Sequence, residues 1–225
     1  VISGSANARL LDTYEAERLP VARWVTAWSL ESFQSIWRQV AESRQNVPSA
    51  ASPPGTLAEQ GIVFGIRYDS AAVVPDGSAP PVLKDPVTDY VPDACPGARA
   101  PHVWLEHNGD RISTLDLFGQ DWVLLAGEAG EDWRVAAQSA SDSLHMAIRS
   151  WTIGSAGEVA DPGQNWASTY GVGTEGAVLI RPDGHVAWRS RSAVPDPAVT
   201  LNSVLTRVMG HSLDEARGAS ADRGR

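Results

Sequence analysis

A long amphipathic helix at the start of the chain is the feature that most constrains how this sequence can fold. The pattern is helical from Ala8 to about Ser43, with Pro20 as its one internal break. Because an apolar stripe of this length needs a cover, we expect it to pack against a neighbouring domain, with an aromatic ligand pocket as the alternative. The stripe recurs at steps of three and four residues and consists of Val21, Trp24, Val25, Trp28, Phe33, Ile36, Trp37 and Val40.

The composition excludes several classes of protein. Of 225 residues, 43% are hydrophobic and 20% are charged, and no apolar run approaches the roughly 20 residues that span a bilayer. The 18 Lys and Arg against 27 Asp and Glu give a net charge of −9, which disfavours a broad interface with nucleic acid or an anionic membrane. We therefore expect a small neutral ligand or a protein partner, with no nucleic acid and no membrane.

Cysteine usage predicts where the protein works. Cys95 is the single cysteine, so the chain cannot form an intrachain disulfide, a CxxC pair or a multi-thiolate zinc site. This predicts a reducing, cytoplasmic location. The first residues lack the basic and apolar regions of a secretory signal, and there is no initiator Met. We expect that the sequence begins inside a longer chain.

Two proline-rich segments, at residues 46–56 and 75–101, separate the helix from a region of short alternating elements. Residues 62–68 between them predict a strand, and we expect a domain boundary near Asp89. The residues after Gly210 predict a disordered tail. The elements between that boundary and the tail are a hairpin at residues 103–117 with an Asn108-Gly109 turn, a buried strand at 122–126, a helix at 131–146, a strand at 148–153, a hairpin at 177–188 and a helix at 196–208.

This order of elements predicts an α/β fold in which a mixed sheet carries flanking helices, and it resembles a thioredoxin fold. The end of the central strand is where a thioredoxin carries its redox cysteines, and no cysteine lies there. Cys95 lies upstream, where no helix N-terminus is expected to depress its pKa. Thiol chemistry is therefore not the expected function.

No motif in the chain defines a catalytic, cofactor-binding or metal site, and we assign no residues to any of the three. Residues 171–176 match the dinucleotide-binding pattern G-x-G-x-x-G, but a strand and a turn follow where that motif needs a helix. His102 and His107 are the one close histidine pair. Their spacing suits neither one helix face nor one side of a strand, so a metal site there is not expected.

Three segments together resemble the class A FAD-dependent aromatic hydroxylases, which include the phenol and polyketide hydroxylases. Residues 10–22, LLDTYEAERLPVA, resemble the stretch that ends the flavin-binding part of these enzymes. Residues 96–105, PGARAPHVWL, resemble the start of their C-terminal thioredoxin-like domain, and residues 170–172 followed by 176–189 resemble its closing hairpin. The resemblance extends over about residues 1–209, in the family's order and spacing.

In such hydroxylases NADH or NADPH reduces FAD, and the reduced flavin takes up O2 to hydroxylate a phenolic ring. The resemblance therefore implies FAD, NAD(P)H and an aromatic small-molecule substrate for a full-length protein whose FAD-binding motifs lie upstream of this chain. For the chain itself it implies a structural role without catalysis, either packing on the upstream flavin-binding domain or forming a homodimer contact. The surface expected to be covered is the stripe that carries Trp24, Trp28 and Trp37.

The charged residues of the resembling segments have modest expected roles. Glu15, Glu17 and Arg18 are expected either to pair with the upstream flavin-binding part or to remain solvated surface charges. Arg181 and Arg189, which flank the Asp183-Gly184 turn, are expected to be surface or interdomain partners.

The resemblance also divides the chain into four segments. Residues 1–45 are the helical end of the flavin and substrate region, 46–88 a linker with a short strand, 89–209 the thioredoxin-like domain, and 210–225 the tail. Two alternatives remain open. One is a free-standing, redox-inactive thioredoxin-like binding or scaffold module whose N-terminal helix docks on a separate protein. The other is a thiol peroxidase relative that uses Cys95.

Overall fold

The computed structural model of the chain describes Val1, Gly4, residues 6–43 and residues 59–211. The predicted linker at residues 46–56 lies outside the described residues, and so do residues 212–225 of the predicted tail. None of the helices in the described part combines the length and the apolar character needed to cross a membrane.

The N-terminal helix forms over the predicted range. A 3-10 turn at Ala8–Leu11 leads into α1 (Asp12–Ser43), and the side chain of Asn7 accepts a hydrogen bond from the backbone N–H of Arg9 at 3.0 Å. Pro20 lies inside α1, so the break predicted there was wrong. The φ angle of proline suits a helix, and loss of a single backbone hydrogen bond does not end a helix of 32 residues.

The strand predicted at residues 62–68 was also wrong. The chain instead forms a short helix, α2 (Gln60–Phe64), and only Arg67 makes a β-bridge, to Ala98. The backbone N–H groups of Gly61 and Ile62 donate to the carbonyl of Val87 at 2.9 and 3.3 Å. Packing against the second proline-rich segment therefore overrides the strand preference of the Ile and Val residues.

The first predicted hairpin is present. β1 (Trp104–His107) pairs antiparallel with β2 (Asp110–Ser113), and Asn108 and Gly109 adopt the positive φ angles of a tight turn, 54° and 85°. The second strand is shorter than predicted. Residues 114–117 form a 3-10 turn because Ser113 and Asp116 form a capping box that satisfies the turn's first backbone N–H groups.

The main sheet has four strands in the spatial order β4-β3-β5-β6, in which β3 and β4 are parallel and β5 is antiparallel to both β3 and β6. This mixed sheet with flanking helices confirms the predicted fold class; the pattern did not predict α4. In chain order the elements are β3 (Trp122–Gly127), α3 (Glu131–Leu144), β4 (Ile148–Ile153), α4 (Trp166–Tyr170), β5 (Ala177–Ile180), β6 (Val186–Ser190) and α5 (Pro197–Val208).

Alternating side chains of the sheet build a core on each of its faces. Leu124 and Ala126 of β3 belong to the core that includes α3 and α5, whereas Val123 and Leu125 belong to the core that includes the β1–β2 hairpin and α4. All four side chains are fully buried. The apolar run in the sequence therefore reflects a central strand that is covered on both sides.

Two glycines with positive φ angles allow the cost of backbone strain to be compared with the cost of a steric clash. Gly109 (φ +85°) has open space around the position of a Cβ, whereas a Cβ on Gly97 (φ +91°) would collide with the carbonyl oxygen of Tyr68. We expect Gly109→Ala to lower the free energy of unfolding by about 1 kcal/mol and Gly97→Ala by about 3 kcal/mol, measured by urea denaturation. Equal losses in the two variants would show that residues 67–68 do not pack tightly on Gly97.

Candidate functional site: the junction between the N-terminal helix and the sheet

A bidentate ion pair joins α1 to the turn between β5 and β6. Arg181 Nη1 and Nη2 donate to Glu17 Oε1 and Oε2 at 2.6 and 2.9 Å. The hydroxyl of Ser70 donates to Glu17 Oε1 at 2.6 Å, so three hydrogen bonds satisfy this carboxylate. The Glu17 side chain is only 4% exposed and that of Arg181 13%, so solvent screens the pair weakly. This geometry fixes the helix at one point on the sheet.

The same arginine also organises the turn that it belongs to. Arg181 Nε and Nη2 donate to Asp183 Oδ1 and Oδ2 at 3.1 and 2.7 Å. Burial raises the pKa of Asp183, but the adjacent His185, whose backbone N–H donates to Asp183 at 3.2 Å, and the positive charge of Arg181 outweigh it and hold the pKa below its ordinary value. Burial likewise raises the pKa of Glu17, and the hydrogen bonds from Arg181 and Ser70 bring it below its ordinary value. Both groups are therefore carboxylates at neutral pH.

The ring of Tyr68, a residue of the linker, packs beside the ion pair. Tyr68 is 5% exposed and stacks on His185, with ring centroids 4.1 Å apart. The guanidinium carbons of Arg18 and Arg181 lie 5.1 and 5.6 Å from the centre of the Tyr68 ring, within cation–π range. Two arginines thus lie against the same aromatic ring beside the carboxylates of Glu17 and Asp183.

A second contact anchors the start of the helix on α5. The backbone N–H of Asn7 donates to the carbonyl of Met209 at 3.0 Å. Ala6 is buried in the core that contains α5, and Leu10 packs against the same core. The first half of α1 is therefore fixed both at the β5–β6 turn and at the end of α5.

The second half of α1 presents an apolar surface to solvent, which we call the open helix face. Phe33 and Trp37 contact each other there, with ring centroids 5.9 Å apart, and their exposed fractions are 58% and 54%. Of the three tryptophans expected to need a cover, Trp37 is exposed, whereas Trp24 and Trp28 are half-buried. The open helix face consists of Leu30, Phe33, Ile36, Trp37 and Val40.

The structure corrects the expected roles of two charged residues. Glu17 pairs within this chain, so neither an upstream partner nor a solvated surface was the right expectation for it. Glu15 is exposed, and both alternatives for it stay predictions. Arg189 is not a surface residue, because it is 6% exposed. It donates to the carboxylate of Asp76 at 2.7 Å and to the carbonyl of Tyr170 at 2.9 Å, and so ties β6 to the linker and to α4.

The remaining sequence candidates do not come together into a site. Cys95 is buried beside the hydroxyl of Ser78 at 3.3 Å. His102 bonds the hydroxyl of Ser113 at 2.6 Å, whereas His107 lies against the carbonyl of Glu158 at 3.4 Å. Within residues 6–43 and 59–211, no three His, Cys, Asp or Glu side chains are grouped so that they can hold a metal ion.

The sequence contains one sign of the junction, a carboxylate within the apolar pattern of the helix. Glu17 lies four residues after Thr13 and four before Val21, so a carboxylate stands on the same helix face as the apolar stripe. A charge in that position needs a buried partner. Its partner, Arg181, lies 164 residues away in the sequence, and spacing alone does not identify it.

Comparison with known proteins identifies the family. Residues 93–212 match the model of the aromatic-ring hydroxylase C-terminal domain, and the chain belongs to this family. Aklavinone 12-hydroxylase RdmE of Streptomyces purpurascens is 40% identical over 209 residues, which cover 93% of this chain and 37% of that protein. The 4-methyl-5-nitrocatechol 5-monooxygenase of a Burkholderia species is 36% identical over 211 residues, with the same two coverages of 93% and 37%.

Two solved structures share the architecture. A ternary complex of aklavinone-11 hydroxylase with FAD and aklavinone gives a TM-score of 0.74 at 39% identity, over 93% of this chain and 37% of that one. The flavin-dependent monooxygenase PieE in complex with FAD and substrate gives a TM-score of 0.77 at 35% identity, over 94% of this chain and 42% of that one. The chain thus spans about two fifths or less of these relatives and corresponds to their C-terminal part.

The segment with a dinucleotide-type glycine pattern does not fit the FAD of those complexes. Residues 171–176 follow α4 and lead into β5, so no helix N-terminus faces a phosphate there. The backbone N–H groups of Gly173 and Gly176 already donate to the carbonyls of Arg191 and Gly173 at 2.8 and 3.1 Å. This segment therefore has no amide cradle for a pyrophosphate.

The ion pair at the junction makes a testable contribution to stability. We expect Glu17→Gln to lower the free energy of unfolding by about 2 kcal/mol at pH 7, because it removes charge-assisted hydrogen bonds to Arg181. The exposed neighbour Glu15 supplies the control, and Glu15→Gln is expected to change stability by less than about 0.5 kcal/mol. Equal effects of the two substitutions in urea denaturation would contradict the assignment.

The same pair predicts a pH dependence. The folded-state pKa of Glu17 is below its ordinary value of 4.5, so its stabilisation is complete above that value. It is then lost as the pH falls through the folded-state pKa. We expect the free energy of unfolding to decrease on acidification below about pH 5, and to decrease less steeply in Glu17→Gln. Parallel pH profiles of the two proteins would show that Glu17 does not contribute.

Proposed function

We propose that this chain is the C-terminal portion of an FAD-dependent, NAD(P)H-using monooxygenase that hydroxylates a phenolic or polyketide aromatic substrate in the cytoplasm. The named activities of its relatives support this assignment, since they include an aklavinone hydroxylase and a nitrocatechol monooxygenase. Two related structures contain FAD. In this proposal the upstream part holds the flavin and the aromatic substrate, and this portion contributes no catalytic residue.

The role that we propose for this portion is to hold α1 in position for packing between domains. The observation that carries the proposal is the contrast between the two halves of α1. Its first half is pinned by the pair of Glu17 and Arg181, whereas its second half presents the open helix face. Because the open helix face is exposed while the rest of the helix is fixed on the sheet region, we propose that this face is buried against the upstream flavin-binding part.

The sheet region, with its βαβ unit followed by an antiparallel hairpin and a helix, supports a thioredoxin-like domain that serves as a scaffold. The position after the central strand carries Glu128 in place of a redox cysteine, and Cys95 is buried elsewhere beside Ser78. We therefore propose no thiol chemistry for it.

The first test is the intact mass and cofactor content of the native gene product, detected in its source cell with an antibody against this region. We expect a protein much heavier than 24.0 kDa that carries bound flavin. A native product of about 24.0 kDa without flavin would overturn the proposal and favour a free-standing scaffold module whose helix docks on a separate protein.

The open helix face predicts how the isolated chain behaves. We expect it to self-associate and to bind a hydrophobic-surface dye, because Phe33 and Trp37 have no cover in the described structure. The double variant Phe33→Gln/Trp37→Gln is expected to reduce both signals several-fold, as measured by light scattering and dye fluorescence.

Val82 offers a matched control for that experiment, since it is a single apolar side chain that is 97% exposed. We expect Val82→Gln to change neither signal. A monodisperse monomer that binds no dye before any substitution would count against the proposed packing role.

A further inference from the structure

The tip of the β1–β2 hairpin carries the one Asn-Gly pair of the sequence, Asn108 and Gly109. Both residues are exposed, and both have the positive φ angles that a tight turn requires. Glycine has no side chain to obstruct its own backbone nitrogen, so that nitrogen can attack the carboxamide of a preceding asparagine. The pair that fixes the hairpin is therefore also chemically reactive.

Nothing in the described part of the chain obstructs that attack. A Cβ placed on Gly109 meets no atom within 4 Å, so the space around this residue is open. The backbone N–H of Gly109 lies outside the β1–β2 ladder and donates to none of the described groups. Closing a five-membered ring from Gly109 N to Asn108 Cγ requires rotation only about single bonds of Asn108. An exposed turn resists such rotation less than the interior of a strand does.

His107 places a proton-carrying group at the nitrogen that has to leave. Its Nε2 lies 3.0 Å from Asn108 Nδ2. Its Nδ1 faces the backbone carbonyl of Glu158 at 3.4 Å. Because a carbonyl only accepts hydrogen bonds, Nδ1 carries the proton of the neutral ring, and Nε2 accepts from the carboxamide. The ring also packs edge-on against Trp151, with centroids 5.3 Å apart. Residues distant in sequence therefore hold the imidazole at the carboxamide.

The other asparagines of the described residues lack this combination. Asn202 lies inside α5 and is followed by Ser203, whose backbone nitrogen belongs to the helix. A bulky tryptophan follows Asn165. The side-chain oxygen of Asn7 is engaged by a backbone N–H at 3.0 Å. An open following nitrogen and an imidazole at the leaving group thus coincide at Asn108.

We propose that Asn108 is a site of intramolecular deamidation assisted by His107. The Gly109 nitrogen loses its proton to solvent and forms a bond to Asn108 Cγ. The imidazole takes up a proton from water at Nε2 and passes it to Nδ2 as the Cγ–Nδ2 bond breaks, so that ammonia leaves with the electron pair of that bond. Water then opens the succinimide at either carbonyl, which gives aspartate or isoaspartate.

Isoaspartate changes the hairpin, because it adds one carbon atom to the backbone of the turn. The pairing of His107 with Asp110 across that turn then cannot keep its register. Leu105 of β1 is 1% exposed and belongs to the core, so a shift of the strand reaches the core. The proposal does not depend on the proposed monooxygenase function, since neither a flavin nor an upstream residue takes part.

The test is incubation of the full chain in neutral buffer, followed over time by peptide mapping with mass spectrometry. Replacement of the amide NH2 by OH gives a defined mass gain, and isoaspartate is counted with a protein-isoaspartate methyltransferase. We expect Asn108 to deamidate at least tenfold faster than Asn202 in the same molecules. Gly109→Ala is expected to slow the reaction to a similar extent, because its methyl group obstructs the attacking nitrogen. Equal rates at Asn108 and Asn202 would overturn the proposal.

His107→Gln separates assistance by the imidazole from the reactivity of the Asn-Gly pair itself. Glutamine keeps a hydrogen-bonding group but does not exchange a proton at neutral pH. We expect it to slow deamidation several-fold in the folded chain and to have no effect in urea, where Glu158 no longer holds the ring. His102→Gln, at a histidine that bonds to Ser113 instead, is the matched control and is expected to leave the rate unchanged. Equal rates in folded His107→Gln and the folded unsubstituted chain would also overturn the proposal.

Discussion

The charge-assisted pair between Glu17 and Arg181 is the interaction on which the arrangement of this chain depends. Nothing within a helix of 32 residues determines the direction in which it lies against a sheet. Two parallel hydrogen bonds from a guanidinium to a carboxylate fix both the position and the angle of the helix, whereas an apolar contact is not directional. Arg181 also donates hydrogen bonds to Asp183 within the β5–β6 turn, and these bonds hold the guanidinium in place for Glu17.

The pair of Glu17 and Arg181 accounts for the difference in burial between the two halves of α1. The face that reaches the sheet carries polar Thr13 and Glu17 among its apolar neighbours, and both are buried. Farther along, the apolar residues have no counterpart among the described residues of the sheet region. The relatives reported above are more than twice as long as this chain, and in the proposed function their additional upstream part covers these residues.

Much of the sheet was predictable from sequence because its signals are local. Asn108-Gly109 fixes a tight turn, and the apolar run at residues 122–126 marks a strand buried on both faces. The short helix α2 was not predictable, since backbone hydrogen bonds to Val87, more than twenty residues away, decide its form. The junction was not predictable for the same reason, because the partners of Glu17, Ser70 and Arg181, lie 53 and 164 residues away in the sequence. The packing of Thr174 over Gly127 depends on a close approach of backbone that no residue pattern encodes.

The long sequence separation of the junction has a consequence for biosynthesis. Residues 6–10 and Glu17 leave the ribosome well before Arg181 and Met209, which hold them. Domains fold as units in the order in which they are synthesised. Until the residues around Arg181 and Met209 are made, α1 lacks the two contacts that fix it on the sheet region. The segments that fix the position of α1 are therefore made well after the helix itself.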